Sequence, residues 1–538
     1  MEGRVTVSEK IKYLIHIGGE ESPEIIEGIQ NFKYCHFNIT SQLNADIEAL
    51  QSMAPDEVNN SNHLFLLSRE VMRQLKHLEL VRLPSYQIFY ETLDGASEEE
   101  QRILKLKGAQ YFDFSDKGKA FCQYVNENYV KPWGTVIDNS MVEINPNFEG
   151  SIVKKGAAMY ELEGDFGEDY QQVMLWKNNW HATGRVNFYP EIGHSEDVDY
   201  YFRAYYRNTK SNQEVQYTDF SSEQIREAQG AFNLGFSEFP VNFGLFIKGQ
   251  GRINIGSLHI RYGLAENNFL AMGGRRLVST SSMGEELGYY FNAGDLKPPL
   301  NVYFSGYRPA EGYEGRWMMG NLGAPFILVH DPRLVGGAFY RGTELEEKLI
   351  NVIQEKLDLL GFSKQELILS GLSMGTYASF YYGAKLEPHA IVVGKPLANI
   401  GHLAVHSRIF SPYDWDLAMD TIIHLTGQLT EKAAQALDEE FWLKFEAADF
   451  SQTSFLMAHM LHDTDLPFNR IFNYLKKNYP TAKILHKGIE GRHNDDTPSV
   501  VNWFFKNYKQ LLISDFNRAL IVEEEELEEV DLRGEDDE

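Results

Sequence analysis

Short apolar runs alternate with helix-like stretches along the first quarter of the chain. The runs KYLIHIG, HLFLLS and YQIFY predict strands, whereas SREVMRQLKHLELVRL and GKAFCQYVNENYV have apolar residues at the three-to-four-residue spacing of a helix. Strands that alternate with helices are typical of a parallel sheet. The pattern therefore predicts a small N-terminal α/β domain over residues 1–140.

The pattern changes after the segment KPWGTVIDNSMVEINPNFEGS, whose proline, glycine and asparagine residues indicate a linker. Between residues 150 and 265, stretches such as VDYYFRAYYRN, VNFGLFIKG and INIGSLHIRYG predict strands of a jelly-roll-like β-sandwich. Exposed aromatic rings could make this sandwich carbohydrate-binding, and the candidates are Trp176, Trp180, Tyr205 and Tyr206. Alternating aromatics are equally expected in the core of a sandwich.

The α/β pattern returns in residues 266–520. The runs NVYFSGYR and PFILVHDP predict strands, a helix is expected near residues 343–360, and LILSGLSMGTYASFYYGA follows at 367–384. That last stretch has a buried-strand run, a tight turn and a helical pattern in succession, which is the local arrangement around the nucleophile of an α/β-hydrolase. The sequence therefore predicts a C-terminal α/β-hydrolase domain.

Charge and composition exclude several classes of function. The formal net charge of −27 over 538 residues argues against a nucleic-acid partner, and part of it lies in residues 521–538, which we predict to be an acidic disordered tail. No apolar run is long enough to predict a membrane span, and the N-terminus lacks a signal-peptide pattern. Cys35 and Cys122 lack metal-ligand spacing and are expected to be reduced thiols. We therefore expect a cytoplasmic protein.

The pentad Gly371-Leu372-Ser373-Met374-Gly375 has the G-x-S-x-G form of a nucleophile elbow. Its context strengthens the interpretation, because a strand run precedes it and a helical run follows. Such a turn lifts the Ser373 hydroxyl clear of the sheet and brings the backbone N–H of Met374 to where an oxyanion would form. Ser373 is thus the candidate nucleophile.

A serine nucleophile needs a base and an acid, which in this architecture follow in the order acid, then histidine. Asp463 lies in MLHDTDLP, which resembles an acid loop without its usual glycine, and Asp465 is the alternative acid. His493 lies in the loop IEGRHNDD after the last predicted strand and is the candidate base. His486 is a weaker candidate because it lies inside that strand.

A second oxyanion donor is expected from the loop that begins at FSGYRPAEG, where we assign the backbone N–H of Gly306, with Tyr307 as the alternative. No metal-binding motif is found, and no bound cofactor is expected. The predicted chemistry is acyl transfer through a serine ester, with His493 accepting the serine proton. An acyl donor is required, and neither it nor the acceptor can be read from these residues.

The segments LSGLSMGTYASFYYGAKLEPHAIVVGKPLANIG, NVYFSGYRPAEGYEG and EGRHNDD resemble the family of second accessory secretory proteins of the accessory Sec system of Gram-positive bacteria. The resemblance implies a protein that acts with companion accessory secretory proteins and the accessory Sec ATPase to export a serine-rich-repeat glycoprotein adhesin. It also implies O-acetylation of N-acetylglucosamine on that adhesin by a triad that maps to Ser373, Asp463 and His493. Some relatives have glutamate as the acid, so the shorter Asp463 has to reach the same imidazole. The location implied is cytoplasmic, or peripheral at the membrane translocon.

Two other functions fit the same residues. An esterase or deacetylase would use the same triad with water as the acyl acceptor. A non-catalytic export scaffold would act through protein contacts alone. The triad residues do not separate these alternatives, because the difference lies in the shape of the site around His493.

Overall fold

The computed structural model describes residues 12–52, 63–156, 158–177, 179–181, 185–207, 215–227, 232–236, 240–266, 268–280, 283–308, 310–410, 415, 417–520 and 522. The fold is mixed α/β with several sheets. It forms two compact units. The first contains the described residues up to Lys131 together with Phe291–Lys297 and Gly323–Phe326, and the second contains the others. The predicted division at residues 140, 150, 265 and 520 stays a prediction, and the predicted acidic tail lies outside the described residues except for Val522.

The first unit contains a parallel five-stranded sheet of order β2-β1-β3-β4-β5. Side chains of β3 alternate between two apolar clusters, with Phe65 and Leu67 in one and Leu64 and Leu66 in the other. Both faces of the sheet are therefore buried, which explains why its strands read as continuous apolar runs. The strands are β1 (Tyr13–Ile17), β2 (Lys33–Phe37), β3 (Leu64–Leu67), β4 (Ile88–Tyr90) and β5 (Gln110–Tyr111), and the helices are α1 (Pro23–Gly28), α2 (Leu43–Ser52), α3 (Glu98–Leu106) and α4 (Lys119–Asn128).

The helix predicted from SREVMRQLKHLELVRL is wrong. This segment forms three 3₁₀ turns at Val71–Arg73, Leu75–His77 and Leu80–Arg82. Leu78 is extended, with φ −119° and ψ 123°, and interrupts any continuous helix. Apolar residues such as Met72 and Leu75 are buried, so their spacing in the sequence is that of a helix although the segment forms no α-helix.

The second unit begins with antiparallel strands. These are β6 (Gly134–Ile137), β7 (Val142–Ile144), β8 (Ser151–Lys155), β9 (Met159–Asp165), β10 (Gln171–Trp176), β11 (Trp180–His181), β12 (Arg185–His194), β13 (Val198–Arg207), β14 (Val215–Ser221), β15 (Phe232–Phe236) and β16 (Pro240–Tyr262), with the short helix α5 (Ser222–Glu227) between β14 and β15. The predicted linker is wrong in its middle, since β6 pairs with β16 and β7 pairs with β10.

The two strands predicted from VNFGLFIKG and INIGSLHIRYG are one long strand, β16. Its first half pairs with β10, β11 and β13, and its second half pairs with β6, β9 and β12. The change occurs at Gly249 and Gly251, whose φ values of +93° and +146° suit glycine. The strand β16 therefore lies between antiparallel partners along both of its halves.

The four aromatic candidates for sugar binding differ in burial. Trp176 is fully buried, and its indole N–H donates to Asn139 Oδ1 at 3.1 Å. It is therefore a core residue and cannot stack on a sugar. Trp180, Tyr205 and Tyr206 are half-buried.

An eight-stranded sheet has the order β17-β18-β20-β19-β21-β22-β23-β24. The strands are β17 (Gly274–Val278), β18 (Glu286–Asn292), β19 (Leu300–Phe304), β20 (Phe326–His330), β21 (Leu367–Leu372), β22 (Ala390–Gly394), β23 (Ser454–Met460) and β24 (Ile484–Ile489). The helices are α6 (Arg316–Gly320), α7 (Thr343–Leu360), α8 (Met374–Leu386), α9 (Ile400–Phe410), α10 (Ala418–Thr426), α11 (Glu431–Ala447), α12 (Phe468–Asn478) and α13 (Thr497–Phe516).

Five neighbouring strands of this sheet, β19 and β21 to β24, run parallel. Their carboxyl ends therefore meet at one edge, and the loops that follow them carry Gly306, Ser373, Asp463 and His493. Open α/β sheets bind ligands at this edge. Among the described helices, none is both long enough and apolar enough to cross a membrane.

Candidate active site

Ser373 lies at the sharp turn between β21 and α8. Its backbone has φ 51° and ψ −119°, a sparsely populated conformation for a residue with a side chain. Because α8 begins at Met374, the serine lies directly before the first turn of a helix. This is the geometry of a nucleophile elbow.

The two glycines of the pentad are required by close packing. A Cβ on Gly371 would lie 2.5 Å from the carbonyl carbon of Gly375, and a Cβ on Gly375 would lie 2.0 Å from the carbonyl oxygen of Phe304. Real Cβ atoms do not approach other atoms so closely. The elbow can therefore form at this point of the sheet only with glycine at both positions.

Ser373, His493 and Asp463 form a continuous hydrogen-bonded chain. Ser373 Oγ lies 2.7 Å from His493 Nε2, and His493 Nδ1 lies 2.6 Å from Asp463 Oδ2. Because a carboxylate only accepts, Nδ1 carries the proton and Nε2 is left to accept one from the serine. The structure thus brings together the predicted nucleophile, base and acid in the order that acyl transfer needs.

Asp465, the alternative acid, makes a different set of contacts. Its carboxylate accepts hydrogen bonds from the backbone N–H groups of Ala398 and Asn399 at 2.7 and 2.8 Å. Burial raises the pKa of Asp465, and the neighbouring Asp463 also raises it, whereas these hydrogen bonds lower it. Asp465 therefore supports the loop after β22 and does not contact His493.

The two assigned oxyanion donors differ in availability. Met374 is the first residue of α8, so its N–H has no acceptor within the helix. Gly306 follows β19 and lies beside the nucleophile, but its N–H donates to Glu314 Oε2 at 2.6 Å. A substrate oxygen can use the Gly306 N–H only if it competes with this carboxyl group.

Two ionisable residues of the site were not predicted from the sequence. Glu314 lies on the loop after β19, and burial raises its pKa despite the hydrogen bond from Gly306. Lys395 follows β22, is 5% exposed, and donates to Thr497 Oγ1 at 2.7 Å. Burial lowers the pKa of Lys395, which is opposed by Asp463 and Glu314. The position of Lys395 directly after a buried strand was the available signal.

The remaining candidates lie elsewhere. His486 lies in β24 with its ring centroid 4.6 Å from that of Phe468, so it belongs to an aromatic cluster rather than to the triad. In the part of the chain that the structure describes, no group of three or more histidine, cysteine, aspartate or glutamate side chains could hold a metal ion.

Comparison with protein families gives a match to the family described as accessory Sec system GspB-transporter over residues 12–518. The accessory Sec system protein of Staphylococcus aureus is 36% identical over 406 residues, covering 73% of this chain and 76% of the relative. That of Streptococcus gordonii is 36% identical over 471 residues, covering 86% of this chain and 91% of the relative.

A solved structure, the glycosylation-associated protein (Gap123) complex from Streptococcus agalactiae, contains a chain with the same fold. The TM-score is 0.79 at 31% sequence identity, and the alignment covers 95% of this chain and 99% of that chain. The similarity therefore extends over both compact units.

Proposed function

The chain belongs to the family of accessory Sec system GspB-transporters, and on this premise we propose that it supports export of a serine-rich-repeat glycoprotein adhesin and O-acetylates the N-acetylglucosamine of that adhesin. The enzymatic part would be carried by an α/β-hydrolase domain with Ser373, His493 and Asp463 as its triad. The strand order of the eight-stranded sheet, with the serine after its fifth strand in sequence, supports this assignment.

One observation carries the proposal: Ser373 Oγ, His493 and Asp463 are joined by contacts of 2.7 and 2.6 Å. In the proposed reaction, His493 Nε2 takes the proton of Ser373 as Oγ attacks the acyl carbonyl, and the leaving group departs with that proton. His493 then takes a proton from the sugar hydroxyl as the hydroxyl oxygen attacks the acyl-serine ester, and returns that proton to Ser373 Oγ as the serine ester bond breaks. Asp463 holds the Nδ1 proton and stabilises the imidazolium in both halves.

The proposed partners are companion accessory secretory proteins, the accessory Sec ATPase and the adhesin glycan. The solved relative from Streptococcus agalactiae is part of a complex, which supports assembly with companion proteins. The proposed location is the cytoplasm or the cytoplasmic side of the membrane translocon. The acyl donor is required by the chemistry, and its identity is open in this proposal.

Replacement of Ser373 by alanine tests the enzymatic part. Loss of a serine nucleophile costs on the order of 10⁶-fold in turnover, so O-acetyl groups on the exported adhesin should disappear in mass spectra of its glycans. The matched control is Ser379→Ala on the same helix, because the Ser379 hydroxyl donates to the Gly375 carbonyl. That variant should retain acetylation.

Three outcomes distinguish the possible functions. Acetylation that persists in the Ser373→Ala variant contradicts the transferase proposal. Acetylation that increases instead indicates that the triad removes acetyl groups. If acetylation is lost while secretion of the adhesin continues, the catalytic and export roles are separable.

A further inference from the structure

The carboxyl group of Glu314 accepts a hydrogen bond from the backbone N–H that is expected to be the second oxyanion donor. Gly306 N–H donates to Glu314 Oε2 at 2.6 Å. The point at which a Gly306 side chain would begin is 3.5 Å from Glu314 Oε2 and 4.0 Å from Ser373 Cβ. The nucleophile and the carboxyl group of Glu314 therefore both lie close to Gly306.

This arrangement presents an electrostatic problem for acyl transfer. Attack by Ser373 places a negative charge on the carbonyl oxygen, and an ionised Glu314 next to that oxygen would repel it. A neutral carboxyl group has the opposite effect, because its O–H can donate to the oxyanion while its other oxygen keeps the Gly306 N–H as a donor. Acyl transfer at Ser373 is therefore favoured when Glu314 is protonated.

The surroundings of Glu314 determine its protonation state. Burial favours the neutral form and raises the pKa of Glu314, whereas Arg308 and Lys395 favour the ionised form. The Gly306 N–H and the Tyr303 hydroxyl also favour the ionised form. A negative charge developing on a nearby substrate oxygen would raise the pKa of Glu314 further.

We propose that neutral Glu314 donates the second hydrogen bond to the oxyanion, in place of the Gly306 N–H, with Met374 N–H as the first donor. This inference rests on the proposed acyl transfer at Ser373. As the bond from Ser373 Oγ to the acyl carbon forms, the carbonyl π electrons move to oxygen and the Oγ proton moves to His493. Glu314 keeps its own proton throughout, and its hydrogen bond shortens as the oxygen becomes negative.

The test uses purified full-length protein with p-nitrophenyl acetate as the probe ester. Removal of an oxyanion donor costs about 10² to 10³-fold in kcat, so Glu314→Ala should lose that much. Glu314→Gln keeps a neutral donor of the same shape and should lose only about 5 to 10-fold, since an amide donates more weakly than a carboxylic acid. Glu355→Gln changes an exposed glutamate on α7 and is the matched control, with turnover equal to that of the unaltered protein.

The pH profile provides a second readout. Neutral Glu314 is present below its raised pKa and is lost as pH rises through it, so kcat of the unaltered protein should fall on the alkaline side. Glu314→Gln should lack this decrease. If ionised Glu314 has a structural role instead, Glu314→Gln should be as impaired as Glu314→Ala, and its kcat should still decrease at alkaline pH. That result would overturn the inference.

The two proposals fail in different ways. If Ser373→Ala hydrolyses the probe as fast as the unaltered protein, acyl transfer at Ser373 is wrong and the role of Glu314 falls with it. If turnover depends on Ser373 but Glu314→Ala is as fast as or faster than the unaltered protein, then Glu314 obstructs the oxyanion site, and only the inference about Glu314 is overturned.

Discussion

A buried cluster of charged side chains in the second unit holds the loop after β19, and a substitution in this cluster tests its contribution to stability. Glu311 accepts hydrogen bonds from Arg261 Nη2 at 2.9 Å and from His259 Nδ1 at 2.6 Å, and it also pairs with Arg261 Nε. Their side chains are 1 to 2% exposed. Glu286, which pairs with Arg261 and Arg276, and Glu191, which contacts His259, also belong to the cluster. Replacing Glu311 by glutamine keeps the shape and removes one buried negative charge.

The loss of stability in Glu311→Gln can be calculated from the buried positive charge that is left without its partner. Removing one partner of a buried pair costs about 3 to 5 kcal/mol. Burial alone would raise the pKa of Glu311, but Arg261 and His259 outweigh it and lower the pKa to about 2 from 4.5, which corresponds to about 3 kcal/mol. With roughly 400 residues in the second unit and about 2 cal/mol/K of unfolding entropy per residue, a loss of 4 kcal/mol lowers Tm by about 5 °C.

The pH dependence has a defined sign. The contribution of Glu311 is complete above pH 4.5 and is lost as pH falls toward about 2. Burial alone would lower the pKa of His259, but Glu311 and Glu191 raise it to about 9, so its contribution is complete below pH 6.5 and is lost as pH rises toward 9. The difference in Tm between the unaltered protein and Glu311→Gln should therefore be largest between pH 5 and 6.5.

Scanning calorimetry across pH 3 to 9 measures this difference. The control is Glu163→Gln, which removes an exposed pair with Arg252 at 3.0 Å, where both side chains are about half exposed. An exposed pair contributes little to stability, so the Tm of this variant should change by about 1 °C or less. Equal shifts for the two variants, or a Glu311→Gln shift that does not change with pH, would refute the reasoning.

The other predictions concern the triad and the elbow. Asp463→Asn should lower kcat for the probe ester about 10⁴-fold. Asp465→Asn should lower kcat less than about 10-fold and mainly lower Tm, because Asp465 supports a loop. Equal losses of kcat in the two variants would contradict the assignment of Asp463 as the acid. Gly375→Ala should lower both Tm and activity because its Cβ would lie 2.0 Å from the Phe304 carbonyl oxygen, whereas Gly320→Ala, with no atom within 4 Å of its Cβ, should change neither. Comparable losses in the two alanine variants would show that close packing at the elbow is not the cause.

Much of the triad could be predicted because its residues follow strands in a fixed order. Ser373, Asp463 and His493 each come after a run that forms a strand, and parallel strands bring these loops to one edge. The choice between Asp463 and Asp465 could not be made from the sequence. Both lie on one short loop, and only the backbone conformation decides which carboxyl group reaches His493 and which turns toward Ala398.

Other features lacked any local signal. The sequence pattern around β16 predicts two strands, because glycines such as Gly249 interrupt the alternation in the same way as a turn would. Glu314 has no motif, since its role depends on a hydrogen bond from a backbone N–H eight residues earlier. The partners of Glu311 lie 50 and 52 residues away in sequence, and only the fold brings them together.

The position of Glu311 connects the antiparallel strands to the candidate active site. His259 and Arg261 lie on β16, at the end that pairs with β6 and β12, and both bind Glu311 on the loop after β19. Glu314 follows Glu311 by three residues on the same loop and accepts the hydrogen bond from Gly306. A loop anchored by a buried ion pair has little freedom to move, so the carboxyl group of Glu314 is held against Gly306 before any substrate binds. Preorganised donors are the ones that stabilise an oxyanion effectively. The antiparallel strands thus position Glu314 for the proposed chemistry, whether or not they also bind sugar.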